Sequence, residues 1–210
     1  MKIPDLINQL SFELKPVHKI KFTFIDVFKI LLTGLFCLLA AVLSLGLRLD
    51  IDDQIVSIKF VFEILLLVFL AVLSTIAAFN LSIPNKNTKN IYKFSLIGLF
   101  GFVLFLVYSF LNDSEPFAYY GHSFACAYEI LLISVIPSSL LFYFIRKAAV
   151  LKRDLVGALV LLSGTAFGLL GVQLTCVDGS LLHILIWHIL PAVVILSLSL
   201  IISKKILIKI

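Results

Sequence analysis

The chain has 210 residues, of which 61% are hydrophobic and only 14% charged. That much apolar surface cannot be hidden in one water-soluble core of this length, which excludes an ordinary soluble enzyme or nucleic-acid-binding domain and makes a bilayer part of the solvent. The net charge of +5 reflects where the basic residues fall between apolar stretches, not a surface for nucleic acid.

The amino-terminal segment, residues 1–24, is amphipathic. Ile3, Leu6, Ile7, Leu10 and Leu14 recur at helical spacing, Pro4 suits a first-turn position, and Pro16 stops the helix near Lys15. Such a short amphipathic helix can present its apolar stripe to a cytoplasmic protein partner. It can equally lie on the membrane surface, with Lys15, Lys19 and Lys21 at anionic headgroups. Some two dozen such residues precede the first long apolar stretch, without a small-residue cleavage site, so no cleaved signal peptide is expected.

Crossing the hydrocarbon takes about 20 apolar residues. Six stretches qualify: Ile30–Leu47, Ile64–Ile83, Phe94–Leu111, Ile130–Ile145, Leu155–Val177 and Gly179–Ser203. The fourth is short unless it extends back to Phe124 with Glu129 near the interface, where a carboxylate costs less than at the midplane. The predicted fold is an all-α integral membrane protein with a transmembrane domain over residues 25–205 and a short tail, 206–210. Positive residues are retained in the cytoplasm during insertion. Of the 17 basic residues, 15 fall on the side of the two termini and only Arg48 and Lys59 on the other. Both termini are therefore expected in the cytoplasm.

Within the spans, Gly164, Gly168 and Gly171 offer a close-packing surface for another helix, and Pro137 and Pro191 are expected to kink spans four and six. Asp26 with Lys29, and Glu63, sit near span ends and read as paired or snorkelling groups. No nucleophile elbow, glycine-rich phosphate loop or paired-carboxylate arrangement can be located, so catalysis is not expected.

The reactive side chains gather on the outer face, in NDSEPFAYYGHSFACAYE and QLTCVDGSLLHILIWH. Cys126 and Cys176 both fall at that membrane boundary, whereas Cys37 lies in mid-span, where a thiol acts as a small hydrophobe. The two outer thiols can form a redox or structural pair if they meet. They can also ligate a soft metal with His122, four residues before Cys126, and with His183, near Asp178. Or they can be unrelated, since no CxxC or other tight ligand spacing is present. His188, beside Trp187 in span six, is either functional or a neutral imidazole hydrogen-bonded to a neighbouring helix; Trp187 reads as packing or as interfacial belt.

LINQLSFELKPV, CAYEILLISVIPSSLLFYFIRKAAVLKRDLVGAL and TCVDGSLLHILIWH together resemble segments of the NrsF-type negative regulators of extracytoplasmic-function sigma factors. The likeness runs along almost the whole chain. It departs from the family pattern at Val150, where a proline is usual, and in lacking the usual arginine and tryptophan near the carboxyl end. The resemblance implies a six-span anti-sigma factor that holds its sigma factor at the bacterial inner membrane and releases it under envelope or metal stress. It further implies that Cys126 and Cys176 are sensing thiols and that Leu14, Lys15, Pro16 and Val17 contact the sigma factor, which favours the partner role for Leu6, Ile7 and Leu10 as well.

The sequence is therefore read as a regulator without catalytic activity or cofactor, embedded in the lipid bilayer, with a cytoplasmic sigma factor as partner and no direct contact with nucleic acid. A small transporter or a thiol oxidoreductase of the inner membrane is the alternative. The transporter would need paired intramembrane charges or broken helices around a midplane site, and the oxidoreductase a second thiol pair.

Overall fold

The computed structural model describes residues 23–83, 90–112, 124–148 and 150–206. Helices are α1 (Phe24–Leu45), α2 (Ile51–Val56), α3 (Ile58–Ser82), α4 (Ile91–Leu111), α5 (Phe124–Ile145), α6 (Arg153–Thr175), α7 (Leu181–His183) and α8 (Leu190–Ile206). A π-helical segment, Ile184–Ile189, joins α7 to α8. The described residues contain no strand. Six of the helical stretches are long and apolar enough to cross a membrane, and the chain is a multi-pass membrane protein.

Local chemistry explains the helix ends. At the start of α1 the Asp26 carboxylate accepts bonds from the Thr23 backbone N–H and hydroxyl, both at 2.9 Å. It also pairs with Lys29 Nζ at 3.8 Å, so the polar head of this span is paired. The helix stops at Gly46, whose φ of +87° is a backbone state that glycine adopts without steric cost. The second span begins earlier than its apolar run, at Ile58, and so takes Lys59 and Glu63 into the helix. The fourth reaches back to Phe124, and Glu129 lies inside it, buried. The short helix α2 was not legible in the hydropathy pattern.

The axis of the bundle is α6, which packs against α1, α3, α5 and α8, while α4 rests on α3. Lipid is as apolar as leucine, so helices in a bilayer associate by close van der Waals packing and interhelical hydrogen bonds. The α6 sequence, rich in Gly, Ala, Ser and Thr, suits that role. A Cβ on Gly164 would run into Ser138 and come within 2.5 Å of the Ser134 carbonyl oxygen. One on Gly168 would strike the Ser134 hydroxyl and come within 2.7 Å of the Ile130 carbonyl oxygen. α5 and α6 therefore touch backbone to backbone. Against α3, Ser163 and Thr75 hydroxyls lie 2.7 Å apart, and both reach the Ala71 carbonyl oxygen.

The lipid-facing surfaces have the opposite character. On α1, Leu32, Leu35, Phe36, Leu39 and Leu43 form a helical stripe that is half exposed or more, and α4 is lined likewise with Phe94, Ile97, Phe100 and Leu104. Continuous apolar stripes of this size are not sustained in water. At one end of the bundle Lys29 lies over Phe144, and Arg146 and Lys147 over Tyr143. Cys126 and Cys176 lie at the other.

Candidate functional site

The last turn of α6 runs Gln173–Leu174–Thr175 and ends on Cys176, and each of these residues is tied to another element. The Gln173 amide donates to the Glu63 carboxyl of α3. The Leu174 carbonyl accepts the Arg48 N–H at 3.0 Å. Thr175 Oγ1 donates to the Glu129 carboxyl of α5, its oxygens 2.8 and 2.9 Å away. Cys176 Sγ lies 3.4 Å from Cys126 Sγ, at the start of α5. Arg48 is itself buried and held by Asp50 in a two-pronged pair at 2.7 and 2.8 Å, which keeps the Asp50 carboxyl well below the usual carboxylate range. Glu63 and Glu129 are thus paired rather than snorkelling. The separate hydrogen bonds that tie Arg48, Glu63 and Glu129 to the last turn of α6 were not singled out by sequence reasoning. Their signal was a polar break, Gln173 and Thr175, closing an otherwise apolar helix.

After Cys176 the chain is extended, and Asp178 Oδ1 accepts the Ser180 N–H at 2.9 Å, which starts α7. The path brings His183 back beneath the thiols, with Nε2 3.4 Å from Cys176 Sγ. His183 Nδ1 stands 3.2 Å from Asp178 Oδ2, a pairing distance without the alignment of a full hydrogen bond.

His188 joins the group through the π-helical segment. Five residues along an α-helix turn a side chain about 140° away, onto another face. In a π-helix the bonds run from i to i+5, so residues five apart stack. The cause is Pro191: it has no N–H for the Trp187 carbonyl, and its ring would collide with that oxygen in α geometry. The helix widens ahead of it, and the Leu190 N–H bonds to Leu185. The His183 and His188 rings then meet edge to face, with centroids 5.2 Å apart. Trp187 packs edge to face on Phe124 at 4.7 Å, tying this segment to the start of α5.

One ligand atom from each of Cys126, Cys176, His183 and His188 lies within 4.8 Å of the others. Cys126, His183 and His188 are buried and Cys176 is partly buried. The hydrogen bond with Cys126 and burial push the Cys176 thiol above its ordinary range. Cys37 is buried in mid-α1, away from this cluster. His122 and the proposed partner-binding residues Leu6, Ile7, Leu10, Leu14, Lys15, Pro16 and Val17 lie outside the described residues.

The model of one protein family, described as NrsF, negative regulator of sigma F, matches residues 10–208. No curated protein and no solved structure matches the chain.

Proposed function

This chain belongs to the NrsF family, negative regulators of sigma F, and we propose that it is a membrane anti-sigma factor whose outer thiols decide whether an extracytoplasmic-function sigma factor is held or released. Negative regulation of a sigma factor follows from the family. The sensing chemistry is supported by one observation above all: Cys126 and Cys176, 50 residues apart in sequence, have their sulfurs 3.4 Å apart. In the proposed orientation the lysine- and arginine-rich end of the bundle faces the cytoplasm of a bacterium, and the cysteine end faces the oxidising side of the inner membrane.

Oxidation removes both thiol protons and two electrons, taken up by a periplasmic oxidant, and draws the sulfurs to about 2.05 Å. A thiophilic metal perturbs the same pair. Either change acts on the end of α6, a rod of about 35 Å whose other end begins beside Lys152 and Arg153 on the proposed cytoplasmic side. In the chain-entropy treatment, closing a loop of this length contributes up to about 4 kcal/mol. That figure stabilises the folded bundle against its unfolded state; it biases holding against releasing only as far as the two arrangements set the sulfurs at different distances, and a swing from 1:99 to 99:1 needs about 5.5 kcal/mol of such difference.

The partner surface in this reading includes Leu6, Ile7, Leu10, Leu14, Lys15, Pro16 and Val17, which precede α1 in the sequence. A thiol oxidoreductase would need a second thiol pair to pass electrons on. The chain's only other cysteine, Cys37, is buried in mid-α1.

The direct test is capture of a soluble sigma factor by the detergent-solubilised chain, with and without residues 1–22. Capture that needs the amino-terminal segment supports the reading; no capture by either form overturns it. A double Cys126→Ser, Cys176→Ser variant with an unchanged transcriptional response to oxidant would remove the sensing part alone.

A further inference from the structure

We propose that Cys126, Cys176, His183 and His188 form a four-ligand site for a thiophilic divalent cation of the zinc class. The site would stitch the start of α5, the end of α6 and the π-helical segment together. The proposal gives the sensor of the preceding reading a ligand; its consequence for signalling rests on that reading, its geometry does not.

The donor set is two thiols and two imidazoles, a combination that suits tetrahedral zinc and its heavier congener cadmium. For Zn–S of about 2.3 Å and Zn–N of about 2.0–2.1 Å, the edges of a ligand tetrahedron are roughly 3.3–3.8 Å. The Cys126–Cys176 and Cys176–His183 separations are both 3.4 Å, and all four donors lie within 4.8 Å of one another. Closing the cluster therefore takes side-chain movements of about an ångström.

The second observation is His188. It is 3% exposed, and its Nε2 has no hydrogen-bond partner. An orphaned buried imidazole nitrogen is costly, and Pro191 widens the helix so that this residue joins the cluster. A cation would give that lone pair a use. Asp178 Oδ2, 3.2 Å from His183 Nδ1 though not aligned as a hydrogen bond, is the carboxylate placed to take up an Nδ1–H behind a metal-bound Nε2.

Charge also balances. The cation displaces one proton from each thiol to solvent, and two thiolates with two neutral imidazoles leave the filled site electrically neutral. A neutral centre suits the apolar boundary of a bundle far better than an isolated cation. Occupancy and disulfide formation exclude each other, since both use the two sulfurs.

The test is titration of the reduced, chelator-treated full chain in detergent with cobalt(II), followed by zinc(II). The expected result is one cobalt per chain with the intense visible bands of a tetrahedral site and a thiolate charge-transfer band, all lost when zinc is added. His188→Gln should weaken binding by at least about 100-fold, beyond the 10–100-fold that losing an outer-shell partner costs. His188→Cys, which supplies a third thiolate, should bind cobalt with stronger charge transfer. Cys37→Ser should leave the spectrum unchanged. The proposal is overturned if the parent gives no tetrahedral cobalt spectrum, if His188→Gln keeps it, or if His188→Cys adds no charge transfer. Sigma-factor capture is not read in this experiment, so a chain that binds cobalt but holds no sigma factor would sink the regulatory reading and leave the site standing.

Discussion

The side-chain amide of Gln173 in α6 donates to the buried carboxyl of Glu63 in α3, 110 residues away in sequence. Neither group has bulk water to fall back on. Glu63→Leu should leave the Gln173 amide without its acceptor and lower stability by about 1–3 kcal/mol. Adding Gln173→Leu should recover most of the loss, because removing both partners of a buried hydrogen bond is nearly neutral. Thermal unfolding in detergent, run as a double-mutant cycle, reads both changes; a single variant as stable as the parent would mean the pair contributes nothing.

The glycines of α6 allow a sharper comparison. Gly164→Ala and Gly168→Ala each push a methyl group into α5 backbone and serine hydroxyls, which cannot yield without moving the helix. Each should cost about 1–3 kcal/mol, the range for overpacked interiors. Gly101→Ala in α4 is the control, since its nearest neighbour is a Leu66 methyl 4.0 Å away. That variant should be neutral or slightly stabilising, as alanine is the better helix former. Equal effects at all three positions would contradict the close α5–α6 contact.

A mild oxidant acting on the reduced, metal-free chain should join Cys126 to Cys176 within one molecule, because their sulfurs already touch. Peptide mapping under non-reducing conditions should find that bond and no linkage to Cys37, which is buried in mid-α1. The joined form should unfold at a higher temperature than the reduced one, by loop closure. Mixed pairing that includes Cys37 would count against the geometry.

Hydropathy carried the six spans, because twenty apolar residues in a row have few other uses, and the small residues of α6 announced a close neighbour. The meeting of Cys126 and Cys176 was foreseeable only as far as a shared face of the membrane; their distance depends on which helices pack together. Gln173, Thr175, Glu63 and Glu129 are polar residues whose partners lie on other helices, so neither their pairing nor the part played by Arg48 can be read from local pattern. In sequence His188 stands near one helical turn from His183 and reads as either functional or a packed neutral imidazole; that the two rings meet depends on the widening ahead of Pro191, a residue expected only to kink the helix.

That dependence makes Pro191 a handle on the site. Pro191→Ala restores an N–H at position 191 and removes the ring that opposes the Trp187 carbonyl, so the segment can return to α geometry. His188 would then stand about 140° around the helix from His183, out of the cluster, while Cys126 and Cys176 keep their positions on α5 and at the end of α6. Cobalt affinity should fall at least about tenfold, since a ligand is moved rather than removed and outer-shell losses alone reach that size. Formation of the Cys126–Cys176 disulfide should be unaffected and serves as the internal control for folding. Pro137→Ala, inside α5 and one helix away from the histidines, should leave both readouts unchanged. Unaltered cobalt binding in Pro191→Ala would show that the widened turn is not what brings His188 to the thiols.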